Sequence, residues 1–112
     1  MATSIIKNSL HEEVNRRRIN VSVPAGETSP WILVASEGMV RVKPGSGGSM
    51  KVQITSSPPS IVLSDNINGT NVSIAEDWPV GTVTTVVSQS YKFATAIRFI
   101  ATTQTGTGDI AT

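Results

Sequence analysis

The sequence predicts an all-β protein: a single-domain β-sandwich of jelly-roll type with a short N-terminal arm. Thirteen Val, eleven Ile and thirteen Thr among 112 residues form a large β-branched population, which favours strands. Short segments alternate apolar and polar residues, and Gly and Pro separate them. The length suits one domain with one core, so we place the arm at 1–18 and the sandwich at 19–112.

The arm, residues 1–18, differs in pattern from the rest of the chain. Ser9 and Glu12 have the spacing of a capping box, which predicts a short helix over 9–17. Pairs between the two glutamates at 12–13 and the arginines four residues later add roughly a few tenths of a kcal/mol each. Because that is too little to hold a short isolated helix, the order of the arm is expected to depend on what it lies against.

The first half of the sandwich contains four predicted strands: 19–23, 31–35, 39–43 and 50–55. Three of them alternate apolar and polar residues, which directs one face of each toward a core. Segment 31–35 is a nearly continuous apolar run and is interpreted as a strand buried on both faces. The turn Ser36-Glu37-Gly38 is expected to join the second and third strands into a hairpin.

The second half contains four more predicted strands, 60–64, 71–75, 81–88 and 94–102, and a short edge strand around Ile110. Asn68-Gly69 is a two-residue hairpin signal between the first two of these strands. Regular spacing of short strands without intervening helices predicts a sandwich, and eight strands suit a jelly roll. The predicted core contains Ile19, Val21, Val23, Leu33, Val40, Val42, Val52, Ile54, Val72, Ile74, Ile97 and Phe99.

Residues for catalysis or for metal binding are few in this sequence. His11 is the only histidine and lies in the arm, away from the aspartates, and there is no cysteine. Asp65 and Glu76 have the end-to-end spacing of a calcium loop, but Ile67 takes a ligand position and the glycine is one position early. We interpret that segment as a tight hairpin and predict no enzyme activity, no cofactor and no metal.

Net charge and apolar runs narrow the classes of partner. The formal charge is +1, so no global field attracts nucleic acid or anionic lipid. No signal peptide or membrane-spanning run is visible, and synthesis in a cytoplasm is expected. The run Arg16-Arg17-Arg18 either contacts phosphates or an acidic protein, or is a solvated helix end. Few aromatic residues accompany it, which disfavours nucleic acid as the partner.

Three segments carry a resemblance to a known class of proteins: Trp31-Ile32-Leu33-Val34, the stretch 77–83 that begins Asp77-Trp78-Pro79, and the stretch 94–102 followed by Thr-Gly repeats. Over 19–112 the chain resembles the small jelly-roll decoration, cementing or staple proteins of tailed bacteriophages. The resemblance implies a structural virion protein without chemistry of its own. Such a protein binds the capsid exterior in many copies and stabilises contacts between major capsid protein subunits.

Two kinds of contact follow as expectations. Strand edges with few charges predict a homo-oligomer, a dimer or a trimer. The arm is expected to contact the capsid through Ile5, Ile6, Leu10, Arg16, Arg17 and Arg18. Two alternatives stay open: a carbohydrate- or cell-surface-binding module, such as part of a phage fibre, with Trp31 or Trp78 as its sugar platform, and a small nucleic-acid-binding protein that uses Arg16–Arg18.

Overall fold

The computed structural model describes residues 18–112. Arg18, which belongs to the predicted arm, begins the first strand, whereas residues 1–17 and the predicted helix over 9–17 lie outside the described residues. The elements in chain order are β1 (Arg18–Val23), β2 (Ile32–Leu33), β3 (Glu37–Lys43), β4 (Met50–Thr55), α1 (Pro59–Asn68), β5 (Glu76–Asp77), β6 (Val87–Lys92), β7 (Ala96–Ala101) and β8 (Gly106–Ala111).

The strands form two four-stranded antiparallel sheets. The first sheet has the order β1-β8-β3-β6 and the second has the order β2-β7-β4-β5. Strand β1 pairs with β8, β2 with β7, β3 with β6 and β4 with β5. The chain therefore forms one long antiparallel ladder that is folded into two sheets, which is the jelly-roll arrangement. The predicted all-β sandwich is confirmed.

The core lies between the sheets and follows the predicted alternation. Phe99, Ile97 and Ile110 are fully buried there, together with valines from β1, β3 and β4. A smaller cluster lies on the outer face of the second sheet, where Val62 of α1 packs with Trp31 and Ala96. Helix α1 thus covers the second sheet from outside, whereas no helix among residues 18–112 covers the outer face of the first sheet.

The segment between β4 and β5 is the main departure from the sequence prediction. The predicted strand 60–64 and the hairpin at Asn68-Gly69 are wrong, because residues Pro59–Asn68 form α1. A proline at the start of a helix and a glycine just after its end are favourable signals, and Gly69 has a φ of 65°. The apolar run of three residues is too short to distinguish a strand from a helix.

Further strand predictions need correction. Segment 31–35 contains only the two-residue, half-buried strand β2, which pairs with β7 and does not form the predicted hairpin with β3. No strand forms at 71–75, where Val72 and Ile74 are 68% and 73% exposed rather than in the core. The predicted strand 81–88 is a loop over most of its length, since β6 begins at Val87. The predicted edge strand around Ile110 is β8, which lies between β1 and β3 in the interior of the first sheet.

Candidate functional site

The outer face of the first sheet carries most of the basic side chains that the structure describes. Register and alternation place four cations and two anions on it. We call this surface the basic face, defined by Arg18, Glu37, Arg41, Lys43, Lys92 and Asp109. The other positions of this face hold small polar residues and two apolar ones, namely Asn20, Ser22, Ser88, Ser90, Thr107, Met39 and Ala111.

Only part of the basic face is neutralised internally. Arg18 Nη2 lies 3.1 Å from Asp109 Oδ2, with the Arg18 side chain 67% exposed. Arg41 Nε donates a hydrogen bond to Ser88 Oγ at 3.2 Å, which leaves its charge uncompensated. Within residues 18–112, Lys43 and Lys92 form no ion pair. The face therefore keeps an excess of positive charge.

Charge is segregated between the two sides of the sandwich. Residues 18–112 contain six basic and six acidic side chains. Four of the basic and two of the acidic side chains belong to the basic face. Those outside it are the basic residues Lys51 and Arg98 and the acidic residues Glu27, Asp65, Glu76 and Asp77. A nearly neutral chain thus has one positive side, and this asymmetry can orient it toward an acidic surface.

The outer face of the second sheet holds a connected polar network. Lys51 Nζ lies 3.3 Å from Asp77 Oδ2, and Gln53 Nε2 donates to Asp77 Oδ1 at 2.8 Å. Arg98 Nε donates to Gln53 Oε1 at 2.8 Å, and Arg98 Nη1 donates to Asn71 Oδ1 at 3.3 Å. Gln53 and then Lys51 lower the pKa of Asp77. Because its charges already have partners, this face has little charge left for a ligand.

A groove of about 370 Å³ lies beside this network, between α1 and the edge of the second sheet, with Trp31, Asn66, Asn71 and Arg98 among its lining residues. The Arg98 guanidinium lies 4.3 Å from the centre of the Trp31 ring and covers that ring. Burial lowers the pKa of Arg98, and the charge of Asp65 opposes this shift. Arg98 and Asn71 in this groove are hydrogen-bonded to each other, whereas the buried Trp31 Nε1 has no hydrogen-bond partner among residues 18–112.

Asp65 anchors the segment that follows α1. Its carboxylate accepts hydrogen bonds from Thr70 Oγ1 at 2.7 Å and from the backbone N–H groups of Val72 and Ser73 at 2.9 and 2.7 Å. The Ser73 side chain, the Ser73 N–H, Thr70 and Val72 hold the pKa of Asp65 well below its usual range, although burial opposes them. These bonds explain why residues 70–73 form a loop rather than the predicted strand.

The predicted site residues have different outcomes. Arg18 lies on the basic face, and the other predicted capsid contacts, Ile5, Ile6, Leu10, Arg16 and Arg17, fall outside the described residues. Trp31 and Trp78 are 5% and 4% exposed, so neither indole offers a ring face to a sugar. The sequence interpretation missed Arg41, Lys43 and Lys92. The first two occupy the polar positions of the alternating strand β3, which was a usable signal.

Residues 18–112 contain no group of three His, Cys, Asp or Glu residues that could hold a metal ion. No helix in that part of the chain is long and apolar enough to cross a membrane.

No protein-family model and no curated protein matches the sequence. The chain is similar to a solved structure from Bacillus endospore appendages, which are described as a novel family of disulfide-linked pili. The two sequences are 12% identical, the match covers 86% of this chain and 80% of that chain, and the TM-score is 0.42.

Proposed function

We propose that this protein is a non-catalytic structural protein of a bacteriophage virion that docks on the capsid exterior in many copies and stabilises contacts between major capsid protein subunits. The observation that carries the proposal is the segregation of positive charge on a sheet face that no other element of residues 18–112 covers. Mostly short side chains lie between the charges of this face, which permits close approach by another protein surface. The complementary surface on the shell is acidic.

The arm extends this contact. Arg16 and Arg17 directly precede Arg18 in the sequence, so the arm brings two more positive charges to the chain next to a residue of the basic face. An exposed ion pair contributes only about 0.2–1 kcal/mol, which makes the attachment of one domain weak. Attachment therefore depends on several contacts acting together, through a dimer or a trimer of this chain or through neighbouring copies on the shell.

Co-sedimentation tests the proposal. The full chain is mixed with empty shells assembled from the major capsid protein of the same genome, over a range of salt concentrations. The double variant Lys43→Glu/Lys92→Glu reverses two charges that have no ion-pair partner in residues 18–112. We expect at least about tenfold weaker binding for this variant, because like charges then face the acidic shell.

The matched control is Lys51→Glu, which reverses a charge on the opposite sheet. Binding of this variant should stay within about twofold of the unmodified chain. If both variants bind the shells as well as the unmodified chain, the basic face is not the contact. If the chain ignores the shells but binds duplex DNA with a steep salt dependence, the nucleic-acid alternative replaces the proposal.

A further inference from the structure

Two long strands form the edges of the first sheet. Its order is β1-β8-β3-β6, so β6 pairs with β3 on one side and with no strand among residues 18–112 on the other. The edges of the second sheet, β2 and β5, are only two residues long. An edge strand presents a row of backbone N–H and C=O groups that can pair with another extended chain. Strands β1 and β6, of six residues each, are the edges long enough for such pairing.

Strand β6 lacks the features that usually prevent an edge from pairing. Natural edges are protected by prolines, bulges, charges or short length. Strand β6 contains no proline, pairs with β3 residue by residue without a bulge, and carries its only charge at its last residue, Lys92. Strand β1, in contrast, begins with the last of three consecutive arginines. The edge of β6 is therefore the more open of the two.

Exposed apolar residues lie directly before and after β6. Val86 precedes the strand and is 55% exposed, and Phe93 follows it and is 84% exposed. Phe93 has a φ of 58°, which ends the extended strand at Lys92 and which bulky residues rarely adopt. Because residues 18–112 leave both side chains largely in water, burial against another surface is favourable. A strand that pairs along the whole of β6 reaches both of them.

The sequence of β6 is complementary to itself in the antiparallel direction. In a twofold pair of antiparallel strands one residue opposes its own copy, and directly opposite side chains point to the same face. With Gln89 on the axis, Val87 opposes Tyr91 of the second copy, and Ser88 opposes Ser90 of the second copy. An aliphatic residue thus meets an aromatic one, and two hydroxyl groups meet each other. Both are favourable cross-strand pairs, and this register opposes no like charges.

The chemistry of Gln89 suits a position on a twofold axis. Gln89 lies between Val87 and Tyr91 on the core-facing side of β6, yet it is exposed. Its side chain has no hydrogen-bond partner among residues 18–112. A primary amide carries both donors and an acceptor, so two opposed amides can hydrogen-bond to each other. The second copy thus supplies a partner for a polar group at the sheet edge.

We propose that two copies of this chain pair through β6 in the antiparallel direction, with Gln89 on the twofold axis. The two first sheets then form one continuous sheet of eight strands. Val86 of each copy lies opposite Lys92 of the other and therefore beside Phe93 of the other. This arrangement removes apolar surface at both ends of the paired strands from water.

The pairing also places two basic faces on one surface. Directly opposite residues point to the same side, so the outer faces of the two first sheets lie on the same side of the dimer. The four positive side chains of one basic face become eight. A dimer of this kind contacts neighbouring subunits of a shell with two basic faces held in a fixed relation, which strengthens attachment without a new type of contact. This use of the doubled face rests on the proposed function, whereas the pairing of β6 does not.

Charge variants at position 89 test the pairing without shells. Gln89→Glu or Gln89→Lys alone places like charges opposite each other, and we expect sedimentation velocity to show about three- to tenfold weaker dimerisation. An equal mixture of the two variants should recover the affinity of the unmodified chain and form heterodimers, because opposite charges then meet. That recovery also shows that both variants are folded.

The matched control is Ser22→Glu or Ser22→Lys, at an exposed position of the other long edge, β1. Both control variants should dimerise as tightly as the unmodified chain. The proposal is overturned if the unmodified chain is monomeric at every concentration, if the single variants at position 89 dimerise normally, or if their mixture does not recover. Species that keep growing with concentration indicate pairing of β6 with β1 of another copy and also overturn it.

A single cysteine gives a second measurement. The chain contains no cysteine, so Gln89→Cys forms disulfides only between copies. Directly opposite Cβ atoms lie about 4.5–5.5 Å apart, close to the span of a disulfide. We expect mild oxidation to cross-link Gln89→Cys faster than Ser90→Cys or Ser22→Cys, and faster cross-linking of either control contradicts the proposed register. If the cross-linked dimer forms as expected but does not co-sediment with shells, the pairing is supported and the capsid proposal is contradicted.

Discussion

Asn66 satisfies both backbone polar groups of Trp31. The Trp31 N–H donates to Asn66 Oδ1 at 2.8 Å, and Asn66 Nδ2 donates to Trp31 O at 2.8 Å. Trp31 directly precedes the short edge strand β2. The Asn66 amide thus makes the two hydrogen bonds to the Trp31 backbone that a neighbouring strand would otherwise make. This double hydrogen bond fastens the helix to the second sheet and covers backbone groups that would otherwise be open to pairing.

Replacing Asn66 by Ala should lower the free energy of unfolding by about 1–3 kcal/mol, because two hydrogen bonds are lost and the Trp31 backbone is left unpaired. Urea titration at neutral pH measures the loss. The control Asn68→Ala removes a side chain on the same helix whose amide donates to the exposed Ser64 hydroxyl at 3.1 Å, and should change stability little. Equal losses for both variants would contradict this role of Asn66.

Asp65 should make the free energy of unfolding depend on pH in the acidic range. Because hydrogen bonds lower its pKa in the folded protein, the unfolded chain takes up a proton first as pH falls. The stabilisation is complete above the unfolded pKa, about 3.9, and is lost as pH falls toward the folded pKa. We expect Asp65→Asn to be less stable at pH 6 and to show a shallower fall in urea midpoint between pH 5 and pH 2. Parallel curves for the two proteins would exclude the effect.

Gly108 is required by the ring of Phe99. A Cβ atom at position 108 would overlap the Phe99 ring, which is fully buried in the core. Gly108→Ala should therefore lower the free energy of unfolding by about 1–3 kcal/mol. The control is Thr107→Ala, on the outer face of the same strand, which should lower the free energy of unfolding less than Gly108→Ala does. Adding Phe99→Leu to Gly108→Ala should recover part of the loss, and a further additive loss would show that the two positions are not in steric conflict.

The fluorescence of the two tryptophans should show that their rings are shielded from water. Trp31 and Trp78 are almost fully buried, so emission should be blue-shifted in the folded protein and acrylamide should quench it only weakly. Titration with a panel of glycans should leave the emission unchanged, because no ring face is open to a sugar. A saturable change with any glycan would restore the carbohydrate-binding alternative.

The sequence predicts the strands where alternation alone decides the outcome. Strands β3 and β4 each direct one set of residues into the core, and period-two patterning shows this directly. Segment 60–64 fails because three consecutive apolar residues fit a helix or a strand equally well. Segment 71–75 alternates too, but the hydrogen bonds of Asp65 hold residues 72 and 73 in a loop and leave Val72 exposed. Those bonds join Asp65 to residues five to eight positions later, and the alternation of apolar and polar residues does not reveal them.

The basic face was only partly accessible from the sequence. Arg18 is conspicuous in its run of arginines, and Arg41 and Lys43 are visible as the polar positions of one strand. Their proximity, however, depends on β8 lying between β1 and β3 and on the register of each pair. The local periodicity of a sequence does not show which strands pair when they lie tens of residues apart. Lys92 could therefore not be assigned to this face from the sequence.

The position of β8 has a consequence for the time at which the protein folds. In the first sheet, β1 pairs only with β8, and β8 also joins β1 to β3. During synthesis the ribosome releases β1 long before β8 leaves the exit tunnel. Strand β1 therefore has no pairing partner in this sheet until residues 106–111 have been synthesised. Such non-local closure slows folding and leaves the nascent chain open to aggregation until β8 is available.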